Sequence, residues 1–130
     1  MTDAPIILIA DRNEDVLDCF REEPVAADCA LFHAKDGQEA LSIVQNRASP
    51  IAVAVIELEL PVVNGFDVIG RLTSLLPKPK KIIATTFLDY EPLHEPAKHM
   101  VADAIVRKPI PKETLRQLLP EYLDNGPVGT

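Results

Sequence analysis

Apolar, largely β-branched runs alternate along this chain with stretches whose apolar residues recur at helical spacing. The first run, Ile6-Ile7-Leu8-Ile9-Ala10, is continuous and ends at Asp11, the pattern of a strand buried on both faces. From Asn13, the residues Val16, Leu17 and Phe20 give a first helix, with Asn13 as its expected cap and Pro24 as its stop. Cys29-Ala30-Leu31-Phe32-His33-Ala34 reads as a weaker strand. Asp36-Gly37 then predicts a turn, and Ala40, Leu41 and Val44 form the stripe of a second helix. Residues 51–56, Ile-Ala-Val-Ala-Val-Ile, are the clearest buried strand, followed by Phe66, Ile69 and Leu72 as a helix face. Lys81-Ile82-Ile83-Ala84-Thr85 predicts a fourth strand and Ala104-Ile105-Val106 a fifth. Pro92 and Pro96 restrict any fourth helix between Asp89 and Met100, because an interior proline removes a backbone donor and crowds the preceding turn. Pro111, Leu115, Leu118 and Leu119 give a closing helix, ended by Asn125-Gly126-Pro127.

Five strand–helix pairs with nearly all-apolar strands predict an α/β fold: an open, doubly wound, five-stranded parallel sheet with helices on both faces. Reactive groups in such sheets collect at the carboxyl ends of the strands, near the point where strand order reverses. The residues expected there are Asp11, Glu57, Thr85 and Lys108.

The 130 residues and 47% hydrophobic content suffice for one core. A formal net charge of −7 opposes a surface that tracks phosphates, so direct nucleic-acid binding is not expected. Cys19 and Cys29 have neither a CxxC pattern nor a Cys/His spacing, which points to reduced, partly buried thiols. No stretch has the length needed to span a bilayer, so the expected setting is soluble and cytoplasmic. Asp11, Asn13, Asp15 and Glu22 fit four positions of an EF-hand loop, but Val16 stands where that loop needs glycine, so calcium is not expected there. His33, His94 and His99 lack mutual ligand spacing and receive no role.

The strand-end spacings carry a resemblance. Ile7-Leu8-Ile9-Ala10-Asp11, then Ile56-Glu57-Leu58-Glu59-Leu60-Pro61 with Asn64-Gly65-Phe66, then Ile83-Ala84-Thr85-Thr86, and Ala102-Asp103 leading to Lys108-Pro109 are similar to the receiver domains of bacterial response regulators. The match covers residues 6–123. It implies a flavodoxin-like (βα)5 fold of strand order 2-1-3-4-5, a receiver-like domain over residues 1–123, and a tail or linker remnant over 124–130. In that family an aspartate four residues before the proline accepts the phosphoryl group, and two consecutive acids after the first strand hold magnesium. Here those places read Glu57 and Asp11-Arg12. Thr85 and Lys108 match the threonine and lysine that contact the phosphoryl group. Ile105 stands at the aromatic-switch position, three before the lysine, so that lever is missing. Glu59 reads as a solvated loop acid, although in the family the backbone carbonyl at this position helps bind metal.

The differences have physical consequences. Arg12 should repel a divalent cation and, folded inward, pair with Glu57 or Asp11. Glu57 is one methylene longer than aspartate, which moves it out of line for phosphoryl transfer. Two readings of Glu57 stay open: an acid reaching toward Thr85 and Lys108 as a permanent imitation of the phosphorylated state, or a structural salt bridge. The leading expectation is a non-enzymatic signalling module independent of phosphorylation and of any cofactor. It would act on a protein partner or output domain, including as a homodimer, through the fourth helix, fifth strand and fifth helix. The first alternative is a conventional receiver in a phosphorelay, using Mg2+ and a sensor histidine kinase. An enzyme on the same fold fits less well. The acids after the first strand oppose a flavin phosphate, and Asn13 stands where a haloacid-type phosphohydrolase needs its second acid.

Overall fold

The structure, a computed structural model, describes residues 4–46, 50–75, 77–87 and 102–123. Its elements run β1 (Ile6–Ala10), α1 (Asp15–Arg21), a 3-10 turn (Pro24–Ala26), β2 (Ala30–Ala34), α2 (Gly37–Gln45), β3 (Val53–Glu57), α3 (Gly65–Leu72), β4 (Lys81–Thr86), β5 (Ala104–Arg107) and α4 (Lys112–Leu123). The five strands are parallel in the order β2-β1-β3-β4-β5, so strand order reverses between β1 and β3. The closing helix of the sequence reading is α4. The fourth helix expected between Asp89 and Met100, the other two histidines and the 124–130 tail lie outside the described residues.

Strand alternation sorts the core onto two faces. Leu8, Ala10, Ala54, Ile56, Ile82 and Ala84 pack with Ala40 and Leu41 of α2 and Val68, Ile69 and Leu72 of α3. Ile7, Ile9, Val53, Val55 and Ile83 pack with Val16, Leu17 and Phe20 of α1 and Leu115 and Leu119 of α4. Burying each of the larger of these side chains contributes about 1.5–3 kcal/mol. β1 and β3 are buried along their whole length, which is why they read as unbroken apolar runs, whereas edge strand β2 is half-buried for most of its length.

Several sequence expectations shift. Asn13 does not cap α1: the helix begins at Asp15, its cap position is Glu14 without a side-chain bond, and the Asn13 N–H donates to Asp11 Oδ1 at 2.9 Å. Asp36-Gly37 is a helix start rather than a free turn. The Asp36 carboxylate accepts from Glu39 N at 2.8 Å, and Glu39 reaches back to Lys35 N at 2.8 Å. Phe66 leaves the predicted buried face and is exposed, because α3 begins at Gly65 and its stripe falls on Gly65, Val68, Ile69 and Leu72.

Gly70 faces open space on α3, where an added Cβ would meet nothing within 4 Å. Glycine there only enlarges the conformational freedom of the unfolded chain. Gly70→Ala should therefore raise stability by about 0.5–1 kcal/mol in urea denaturation, and a loss of stability would refute this packing of α3.

Candidate functional site

The rows Ile7-Ile9, Val53-Val55, Ile83 and Val106 all face the α1/α4 side of the sheet. Two residues further along each row stand Asp11, Glu57, Thr85 and Lys108. Strand parity thus delivers all four sequence-predicted residues to one end of one face, where they are 1–5% exposed. Glu57 ends β3 instead of following it, and Thr85 lies within β4, paired in register with Glu57.

A carboxylate this far from water needs partners. Lys108 Nζ donates to Asp11 Oδ2 at 2.8 Å and lies 3.5 Å from Glu57 Oε2, tying the ends of β1 and β3 to the residue after β5. Arg12 approaches Glu57 from the solvent side. Its backbone N–H donates to Oε1 at 3.1 Å, its Nε lies 3.3 Å from Oε2, and its Nη2 donates to the Glu59 carbonyl. Of the two partners expected for Arg12, Glu57 is realised, while Asp11 is taken by Lys108. Thr85 Oγ1 is buried and has no hydrogen-bond partner among the described residues. Ile105 is partly exposed on β5 and stands apart from the cluster.

Sequence reasoning missed three neighbours. Thr86 Oγ1 donates to Glu59 Oε2 at 2.8 Å, so Glu59 is an anchored acid and not simply a solvated one. The Phe87 ring carries the Lys108 ammonium 4.3 Å from its centroid, a cation–π contact. His33 Nε2 donates to the Asp11 carbonyl at 2.9 Å, which gives this histidine a structural place beside the site. None of these pairs has a spacing signature, since each depends on which strands become neighbours. Arg12, Asn13, Glu57, Glu59 and Phe87 line an open cleft of about 260 Å³ over the cluster.

The loop leaving this cleft is strained. Val63 N–H donates to Pro61 O at 2.8 Å across Val62, whose φ is 71°, an uncommon setting for a β-branched residue.

Buried acids, a buried lysine and a hydroxyl without a hydrogen-bond partner among the described residues are thus gathered at the carboxyl ends of parallel strands beside the order reversal. The profile of the response regulator receiver domain matches residues 7–120. This chain belongs to that family. The receiver is 30% identical over 129 residues to the peroxide stress-activated histidine kinase mak3 of Schizosaccharomyces pombe, a match covering 95% of this chain and 6% of the kinase. The receiver therefore spans a small fraction of that relative's length. Among solved structures it is similar to a CheY-like response regulator receiver domain protein from Methanospirillum hungatei (TM-score 0.78, 23% identity, 93% of this chain and 94% of that one). It is also similar to the signal receiver domain of an HD domain-containing protein from Pseudomonas fluorescens (TM-score 0.79, 22% identity, 95% and 89%). Both likenesses bear on the fold, which is the flavodoxin-like order 2-1-3-4-5. The receiver family is a signalling module, and no helix among the described residues is long and apolar enough to cross a membrane.

Magnesium, which the family implies, needs oxygen ligands in near-octahedral array. The oxygens facing the cleft in this receiver are already engaged. Asp11 accepts from Lys108 and Asn13, Glu57 Oε1 accepts from the Arg12 N–H while Oε2 is paired with the Arg12 and Lys108 cations, and the Glu59 carbonyl accepts from Arg12. The donor set does not fit the ion. Elsewhere, Cys19 and Cys29 are half-buried free thiols. Burial pushes both above the usual thiol range, and Glu22, Asp15 and Asp18 push Cys19 further. They are protonated and weakly nucleophilic near neutral pH.

Proposed function

We propose that this receiver is a non-catalytic regulatory module that signals through protein contacts and does not depend on phosphorylation. The observation that carries the reading is the closure of Glu57, whose two oxygens are held by Arg12 and Lys108. A phosphoryl acceptor needs an oxygen free to attack in line, and positioning supplies most of the rate in such transfers. In this reading Glu57 takes the place of the phosphoacceptor, Asp11 and Arg12 that of the acidic pocket, and Thr85 and Lys108 those of the phosphoryl contacts. Glu57 reaches Lys108 while the Thr85 hydroxyl stays without a partner, which favours the structural salt bridge over a permanent imitation of the phosphorylated state.

The folded unit of the proposal is residues 1–123, with 124–130 as tail or linker. Its setting is the cytoplasm. Its partners are an output domain, a second copy, or a histidine kinase of the kind to which it is similar. The contact face runs along β5 and α4, where Ile105 is partly exposed at the aromatic-switch position. The net charge of −7 speaks against nucleic acid as the direct partner. A second reading, a conventional Mg2+-dependent receiver, draws on the unpartnered Thr85 hydroxyl, a group able to donate to a phosphoryl oxygen.

Intact-mass analysis after incubation with magnesium and a small acyl phosphate separates the two. The native chain should keep its mass, while the double variant Arg12→Asp, Glu57→Asp should gain one phosphoryl group. A gain by the native chain would replace the first reading with the second.

A further inference from the structure

We infer that the Arg12 guanidinium is the resident counter-cation of this pocket, held where a divalent ion would otherwise neutralise it, and that its removal turns the pocket into a divalent-cation site. The inference deepens the reading of the pocket as one that takes no phosphoryl group.

Three observations carry it. First, the Arg12 guanidinium reaches two oxygens beside the β3 end, with Nε 3.3 Å from Glu57 Oε2 and Nη2 donating to the Glu59 carbonyl, while the Arg12 backbone N–H donates to Glu57 Oε1. With the guanidinium gone, Glu57 Oε2 and the Glu59 carbonyl lose their Arg12 side-chain contacts, and Glu57 Oε1, which keeps the residue-12 backbone N–H, still has a second lone pair; these oxygens form a hard set that suits Mg2+ or Mn2+. Second, the charges balance. The buried acids Asp11 and Glu57 face Lys108 and Arg12, and a divalent ion added to that set would stand against two cations at close range. Without Arg12 the same set keeps two carboxylates against one ammonium and regains affinity for a cation. Third, there is room and access. Arg12 is 47% exposed, and the open cleft of about 260 Å³ that it lines leads to Glu57 and Glu59.

Arginine suits this role because its planar fork serves two acceptors at fixed geometry while its charge cannot titrate away. The pocket charge therefore does not follow the supply of divalent metal. Asp11 needs no replacement cation, since Lys108 holds it from below the cleft at 2.8 Å.

The test titrates Mn2+ into the native chain, Arg12→Ala and Arg12→Gln, reading free Mn2+ by electron paramagnetic resonance and the melting temperature with and without Mg2+. The native chain should take up no Mn2+ and melt at the same temperature in about 10 mM Mg2+ as in a chelator. Both variants should bind Mn2+ and gain roughly 3–5 °C with Mg2+. Arg12→Gln keeps a polar side chain of similar reach without the charge, so it covers a failure of Arg12→Ala to fold. A variant that folds only with Mn2+ supports the inference, and one that stays unfolded with Mn2+ counts against it. Uptake by the native chain, or folded variants that bind nothing, would overturn it. Phosphoryl transfer to the native chain would instead overturn the proposed function, whichever way the titration falls.

Discussion

Lys108→Ala should lower the unfolding free energy by about 3–5 kcal/mol, because it leaves two buried carboxylates without their shared ammonium. Asp11 and Glu57 side chains are each 2% exposed and Lys108 is 3% exposed, so water cannot take over the missing contacts at 2.8 and 3.5 Å. The Phe87 ring would lose its cation as well. Arg12 compensates only in part, since it lies on the solvent side of Glu57 and makes no contact with the Asp11 carboxylate. The comparison is the pair Lys81–Asp103, 4.0 Å apart with side chains 38% and 41% exposed, where Lys81→Ala should cost at most about 1 kcal/mol. Urea midpoints at unchanged slope give both numbers. A loss at Lys108 no larger than that at Lys81 would mean that the cluster is hydrated in solution.

Gly65→Ala should be the second large effect, a loss of about 3 kcal/mol. A Cβ at Gly65 would overlap the carbonyl oxygen of Glu57 and the Cα of Leu58. Both are backbone atoms at the end of β3, and neither can rotate away. Gly65 N–H also donates to Leu58 O at 3.1 Å, so the helix start and the strand end are joined at this point. Any shift that admits the methyl group moves Glu57 itself, so the variant should also disturb the pocket. Gly70→Ala, five residues along the same helix, should have the opposite sign, which separates a steric effect from a helix-propensity effect. Equal stability of Gly65→Ala and the native chain in thermal and urea melts would contradict the close approach of α3 to β3.

Much of this was legible in the sequence, for identifiable reasons. β1 and β3 are buried on both faces, so their apolar runs have no polar interruption to confuse the reading. Once those strands are parallel and neighbouring, parity carries Asp11, Glu57, Thr85 and Lys108 to one face, and their clustering follows without further information. The partner of Arg12 was a choice between two acids. Only the three-dimensional placement of Lys108 against Asp11 decides it for Glu57. Phe66 misled because aromatic residues at helical spacing read as core, whereas the true phase of α3 is set by where Gly65 meets β3. Asn13 misled because cap propensity does not fix where the helix begins: α1 starts at Asp15, which puts Glu14 at the cap position. The Thr86–Glu59 and Phe87–Lys108 contacts join residues 27 and 21 positions apart through side chains with no motif of their own, so no local pattern could announce them.

The acids of the pocket are satisfied by the chain's own cations, Arg12 and Lys108. The most direct test is an amide nitrogen–proton correlation spectrum recorded before and after adding magnesium together with beryllium fluoride, a mimic of the phosphoryl group. The resonances of Asp11, Glu57, Thr85 and Lys108 should stay in place, while those of the double variant Arg12→Asp, Glu57→Asp move. Saturable movement of the same resonances in the native chain would contradict the account, because a phosphoryl mimic can enter only where Arg12 has left Glu57.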